Sequence, residues 1–219
     1  MTQSPSRALL ICNGEPPSRR LVLRLMRESD TVVAADGGAN ICCQYGIRPD
    51  VIIGDLDSLR TSTRRHFKTS AVIHVTRQDN TDLEKALDFL VAEKCSHVAI
   101  VGATGKRLDF TLGNLSVIWN YTRRINLAIA GDGWVALPVD RQRTVAARTG
   151  TTVSLIPFGV CSGVTLRGLY YPLKDAKMGV GRIGVSNVVR RSPFSVRVKK
   201  GNMLLIIFDG VFHDHAPLW

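Results

Sequence analysis

The chain has 219 residues, 45% hydrophobic and 21% charged, and its 29 Lys and Arg against 18 Asp and Glu give a formal net charge of +11. Such a length can bury a real core in one large domain or two small ones, the apolar content excludes disorder, and the charge favours a polyanionic partner. The basic residues are scattered in pairs such as Arg19-Arg20, Arg64-Arg65, Arg123-Arg124 and Lys199-Lys200 without an interleaved aromatic platform, so a small phosphorylated molecule is favoured over nucleic acid.

The first apolar run, Ala8-Leu9-Leu10-Ile11-Cys12, is shorter than a signal-peptide core or a membrane span, so a cytoplasmic location without a membrane partner is expected. Further short apolar runs follow at residues 31–35, 51–53, 72–75, 98–101 and 126–130, alternating with helical patterns. This alternation predicts an α/β domain with a doubly wound, mainly parallel sheet. The clearest helix has Leu83, Ala86, Leu87, Leu90 and Val91 on one face and opens with the capping box Thr81-Asp82-Leu83-Glu84. A second helix is read from Leu108, Leu112, Leu115 and Trp119, again on one face.

After about residue 135 the apolar period changes to two, and strands are predicted at 153–156, 164–167, 195–198 and 203–208, punctuated by glycines. A smaller all-β sandwich domain is expected over residues 138–219, after the α/β domain of residues 1–137. The 5 cysteines form no C-x-x-C pair, which argues against zinc or a disulfide framework.

The chemistry collects where strands end, which is where open α/β sheets bind ligands. The second strand runs into Asp36-Gly37-Gly38-Ala39-Asn40, whose glycines allow close backbone approach to a ligand and offer N–H groups to an anion. The third ends in Gly54-Asp55-Leu56-Asp57-Ser58, two hard oxygen donors suited to Mg²⁺ carrying a phosphate chain. The fourth leads to Gln78-Asp79-Asn80-Thr81-Asp82 at a helix start.

The fifth strand ends in Gly102-Ala103-Thr104-Gly105-Lys106-Arg107-Leu108-Asp109, a plausible phosphate cradle with two cations. It is too short for a Walker A loop, and no GxGxxG fingerprint is present. Asp36, Asp55, Asp57, Asp82 and Asp109 on one sheet edge would repel by about 4 kcal/mol per pair at ~4 Å and an effective dielectric near 20. Mg²⁺ with Lys106 and Arg107 would relieve this. Phosphoryl or pyrophosphoryl transfer from a nucleotide is therefore the expected class.

Taken in order, these segments resemble the thiamine pyrophosphokinase family. The resemblance is carried by Asn13-Gly14, residues 35–40, 54–58, 78–82 and 102–109, and Asn114. In the β region it continues through Ser154-Leu155-Ile156-Pro157, residues 168–173 and Gly184-Val185-Ser186-Asn187. It implies a homodimer with active sites at the subunit junction that transfers a pyrophosphoryl group from ATP to the hydroxyethyl oxygen of thiamine, releasing AMP.

The same resemblance implies that Asp55, Asp57 and Asp82 hold Mg²⁺ and that Gln78 orients the reacting groups; on chemical grounds a carboxylate, Asp82 or Asp57, could accept the hydroxyl proton. Asn13, Asp36, Gly37, Gly38, Asn40, Gly102, Thr104, Gly105, Lys106, Arg107, Asp109 and Asn114 would surround ATP. Ser186 and Asn187 would meet thiamine. This sequence departs from the family where Lys106 replaces a glycine, Phe110 a histidine and Val188 an acidic residue. The rival readings are a pyrophosphokinase for another small alcohol, such as a hydroxymethylpterin, and a basic nucleic-acid-binding or regulatory protein. His213-Asp214-His215 reads as a solvated tail, and Trp134 and Trp219 as packing residues.

Overall fold

The computed structural model describes residues 6–77, 79–181 and 184–208. Two compact units are present, Met1–Asp132 and Gly133–Trp219.

The first unit runs β1 (Arg7–Ile11), α1 (Arg19–Arg27), β2 (Thr31–Ala35), α2 (Gly38–Tyr45), β3 (Val51–Gly54), α3 (Thr61–His66), β4 (Ala71–His74), α4 (Asp82–Ala92), β5 (His97–Val101), α5 (Leu108–Val117) and β6 (Asn126–Gly131). Its strands pair in the order β4-β3-β2-β1-β5-β6, every pair parallel. Interior strands of such a sheet are covered on both faces, so they read as unbroken apolar runs. Leu9, Leu10, Ile11, Val33, Ala34, Ile52, Val98, Ala99 and Ile100 are accordingly shut off from solvent, whereas β4 at the edge is largely exposed. The order reverses at β1, which has β2 on one side and β5 on the other.

Helix α4 forms as its sequence predicts. Thr81 Oγ1 accepts from the Glu84 N–H at 3.3 Å while Glu84 Oε2 accepts from the Thr81 N–H at 2.9 Å, completing the capping box. Leu83, Ala86, Leu87 and Leu90 are buried, and the helix lies against β2 and β3.

Helix α5 differs. Leu108 is 73% and Leu112 58% exposed, and the residue it buries is the polar Asn114. The inward amide is needed because Asn114 Nδ2 donates to the Ala103 carbonyl at 2.8 Å, supporting the loop after β5. Leu108 and Leu112 are thus left outside the unit's core, while Leu115 and Trp119 on the same face are half-buried.

The second unit contains β7 (Trp134–Val139), β8 (Gln142–Val145), β9 (Thr152–Arg167), β10 (Leu173–Met178), β11 (Gly184–Val188), β12 (Phe194–Arg197) and β13 (Lys200–Phe208). Two antiparallel layers share β9: one also holds β7, β13 and β11, the other β8, β12 and β10. The runs at 153–156 and 164–167, which read as separate strands, belong to this single strand. Gly159 and Gly163, with φ of 87° and 67°, let it bend from one layer into the other. The expected domain boundary between residues 137 and 138 falls inside β7, and the compact units divide at Asp132 and Gly133. The reason is burial: β7 pairs with β13, and Val135, Ala136, Leu137 and Val139 are all covered.

Candidate active site

The reversal at β1 leaves a crevice between neighbouring strand ends, and there a cavity of about 600 Å³ opens in the first unit. Its β1 and β5 walls are laced together past the strands. The Gly14 N–H donates to the Gly102 carbonyl at 2.6 Å and the Glu15 N–H to that of Thr104 at 2.7 Å. A Cβ on Gly14 would sit 2.3 Å from the Gly102 oxygen, so only glycine allows this approach. Asn13 lies against Gly37, where an added Cβ would come within 2.3 Å of its side-chain nitrogen.

The acidic wall comes from β2, β3 and α4. Asp36 adopts φ 41° and Leu56 φ 67°, uncommon for residues with a side chain. The turn at Leu56 brings the flanking carboxylates together. One oxygen from each of Asp36, Asp55 and Asp57 lies within 4.8 Å of the others. Asp36 is 3% exposed. Its Oδ2 accepts from the Ser58 N–H at 3.2 Å, and its Oδ1, also buried, has no hydrogen-bond partner among the described residues. Burial pushes its carboxyl above the ordinary range, only partly offset by the Ser58 and Gly37 bonds, with Asp82 and Asp57 adding repulsion. An orphaned oxygen beside two further carboxylates is a donor set that fits a hard divalent ion such as Mg²⁺.

Asp82, in the first turn of α4, also lines the cavity but has a different neighbour. Its Oδ1 accepts from Lys85 Nζ at 2.9 Å, and the same nitrogen donates to Asp55 Oδ2 at 3.2 Å. Burial of Lys85 opposes its charge, but the bonds from Asp82 and Asp55 outweigh that and hold its pKa above the usual lysine value. Burial likewise pushes Asp55 upward, and the Lys85 bond and charge together with the Asp57 bonds more than reverse it, holding its carboxyl below the usual range. Gly54 makes the cluster possible, because a Cβ there would lie 2.8 Å from Asp36 Cβ and 3.1 Å from Asp82 Oδ1.

The basic wall is the turn into α5. Lys106 has φ 55°, and its Nζ donates to the Asn13 carbonyl at 3.0 Å, across from β5 to β1. Arg107 pairs with Asp109 and sits 4.3 Å over the Phe110 ring. Cys12 also lines the cavity, with its thiol pushed up to about 12 by burial and by Asp82, so it remains protonated and is a poor nucleophile.

Of the residues expected to form the site, Asn13, Asp36, Asp55, Asp57, Asp82, Gly102, Gly105, Lys106, Arg107 and Asn114 line this cavity. Gly37, Gly38, Asn40, Thr104 and Asp109 are not in its wall. They support it. Asn40 Nδ2 donates to the Ser58 carbonyl at 2.9 Å and its Oδ1 accepts from the Arg60 N–H at 3.1 Å, fixing the segment after Asp57. Gly38 passes so close to β1 that a Cβ would fall 2.0 Å from the Ile11 oxygen. Asp109 is drawn off by Arg107 instead of joining the other carboxylates. Gln78, His213-Asp214-His215 and Trp219 lie outside the described residues.

Lys85 was not singled out in the sequence. Its signal is a cation near a helix N-terminus, where the dipole disfavours one, three residues after Asp82 and therefore beside it.

In the second unit Ser186 adopts φ 58°, and its N–H donates to Ser154 Oγ at 3.1 Å. Asn187 is buried. Its Oδ1 accepts from the Tyr171 N–H at 3.0 Å and its Nδ2 donates to the Tyr171 carbonyl at 2.9 Å, pinning an exposed Tyr170-Tyr171 pair.

The model for the thiamin pyrophosphokinase catalytic domain matches residues 22–129, and the model for the vitamin B1 binding domain of the same enzymes matches residues 138–203. The chain belongs to the thiamine pyrophosphokinase family. Relatives include thiamine pyrophosphokinase 3 of Oryza sativa subsp. japonica, 29% identical over 90% of this chain and 85% of its own length. Thiamine pyrophosphokinase of Bacillus subtilis is 28% identical over 80% of this chain and 85% of its own. Among solved structures, thiamin pyrophosphokinase from Geobacillus thermodenitrificans superposes with a TM-score of 0.80 at 25% identity, covering 96% of this chain and all of that one. The Candida albicans enzyme gives 0.83 at 16% identity over 94% and 90% of the two chains, which speaks to the fold alone.

Proposed function

We propose that this thiamine pyrophosphokinase binds ATP with Mg²⁺ in the cavity at the β1–β5 reversal and passes its terminal pyrophosphoryl group to thiamine. The observation that carries this reading is the orphaned, buried Asp36 Oδ1 grouped with Asp55 and Asp57, opposite Lys106 and Arg107. Asp36, Asp55 and Asp57 would hold the ion, with Asp82 alongside them. Mg²⁺ bound there supplies neutralisation of the polyphosphate oxygens. Backbone groups of residues 13–14 and 102–105 border the nucleotide, and Lys106 exchanges its neutral carbonyl partner for a phosphate oxygen.

In the reaction the hydroxyethyl oxygen of thiamine forms a bond to the β-phosphorus of ATP while the bond from that phosphorus to the bridging oxygen of AMP breaks. The hydroxyl proton goes to a carboxylate of the acidic wall, Asp57 or Asp82. Ser186 meets thiamine directly, and Asn187 acts through the Tyr171 backbone that it fixes. The vitamin B1 binding match over this region favours thiamine above a hydroxymethylpterin. We also propose a cytoplasmic homodimer; exposed Leu108, Phe110 and Leu112 on α5 supply an apolar face suited to a subunit contact. Among the described residues, no helix is long and apolar enough to cross a membrane.

Purified protein given Mg²⁺, ATP and thiamine, or ATP and a hydroxymethylpterin, tests the reading by chromatography. Thiamine diphosphate with AMP is expected, and ADP with thiamine monophosphate, or turnover of the pterin alone, would overturn it.

A further inference from the structure

We propose that Lys85 is a positioning residue that serves as a fixed internal cation: it holds one oxygen each of Asp55 and Asp82, weakens the cavity's grip on a free divalent ion, and so makes that ion enter together with a polyphosphate. This rests on the divalent-cation reading of the cavity. The lysine side chain is 2% exposed, and its ammonium reaches Asp82 Oδ1 at 2.9 Å and Asp55 Oδ2 at 3.2 Å. A buried ammonium is costly unless paired, and both of these pairings are with carboxylates that line the cavity.

Asp55 is the shared element. It belongs to the group of three carboxylates and is also bonded to Lys85, so a divalent ion and the ammonium draw on the same side chain. Two cations bridged by one carboxylate repel each other in a part-buried setting where screening is weak. A nucleotide's polyphosphate brings the negative charge that lets both stay.

Neither other cation of the cavity wall is placed for this. Lys106 donates to a neutral carbonyl, and Arg107 is paired with the exposed Asp109.

The test is Mn²⁺ binding to the full chain, followed by electron paramagnetic resonance of the free ion, with and without a non-hydrolysable ATP analogue. Lys85→Met should bind Mn²⁺ about tenfold more tightly than wild type when nucleotide is absent. The analogue should raise wild-type affinity more than that of the variant. Lys85→Arg, which restores the charge, should return the affinity to near the wild-type value. Should Lys85→Met fail to fold, Lys85→Gln carries the same expectation.

Equal or weaker Mn²⁺ binding by the neutral variant would overturn the role of Lys85 while leaving the cation reading in place. No Mn²⁺ binding by any form, even with the analogue, would overturn both.

Discussion

The two walls of the cavity carry opposite charge and are built in opposite ways. On the acidic side, Asp36 is buried, Asp55 and Asp82 are tied to a buried lysine, and Asn40 fixes the segment that follows Asp57. On the basic side, Arg107 and Asp109 are exposed, and Lys106 rests on a carbonyl. The acidic wall is held by the chain's own contacts, with an unsatisfied buried oxygen and uncommon backbone angles at Asp36 and Leu56. The basic wall keeps partners that a phosphate can replace. Under the proposed reading, the acidic face would hold the ion and the opposite cationic face would exchange its partners for a polyphosphate that enters whole and leaves divided.

Substitutions on each wall should separate these two modes. Asp57→Asn should lower kcat by about a hundredfold or more while circular dichroism shows the fold retained, because an ion ligand worth several kcal/mol in the transition state is lost. Near-wild-type turnover would remove Asp57 from the metal site. Gly54→Ala should cost on the order of tenfold in kcat and lower thermal stability, because the new Cβ would meet Asp36 Cβ at 2.8 Å and force the carboxylates apart. Normal Mn²⁺ affinity in that variant would show the acidic wall to be more pliant than described.

Lys106→Ala should raise KM for ATP by about tenfold with a smaller change in kcat, as befits an exposed cation that acts in binding. A loss confined to kcat would place Lys106 in the transition state instead. Thr81→Ala should have the smallest effect, about 1 kcal/mol of stability in a denaturant titration, through loss of the α4 cap.

The parts of this arrangement that depend on local pattern could be read from the sequence, and the parts that depend on distant contacts could not. Parallel strands buried on both faces leave continuous apolar runs, so β1, β2, β3, β5 and β6 were visible, as was the capping box of α4. The Asp55-Leu56-Asp57 turn stood out because two acids follow an apolar strand. Helix α5 misled because its apolar spacing implies a core face, whereas the unit uses Asn114 to hold the β5 loop and leaves Leu108 and Leu112 outside. The long strand β9 was split because its bending glycines look like turn residues until both layers are seen. Lys85 passed unnoticed in a helix whose apolar positions dominate. Its two partners come from the turn after β3 and from one helical turn earlier, and only the fold brings them together.

The central claim is that both terminal phosphates of ATP move as one unit through this cavity, and the position of a label tests it most directly. With ATP carrying ³²P at the γ-phosphorus, the account predicts labelled thiamine diphosphate and unlabelled AMP in equal amounts from the first turnover. Labelled thiamine monophosphate with ADP as the coproduct would contradict it.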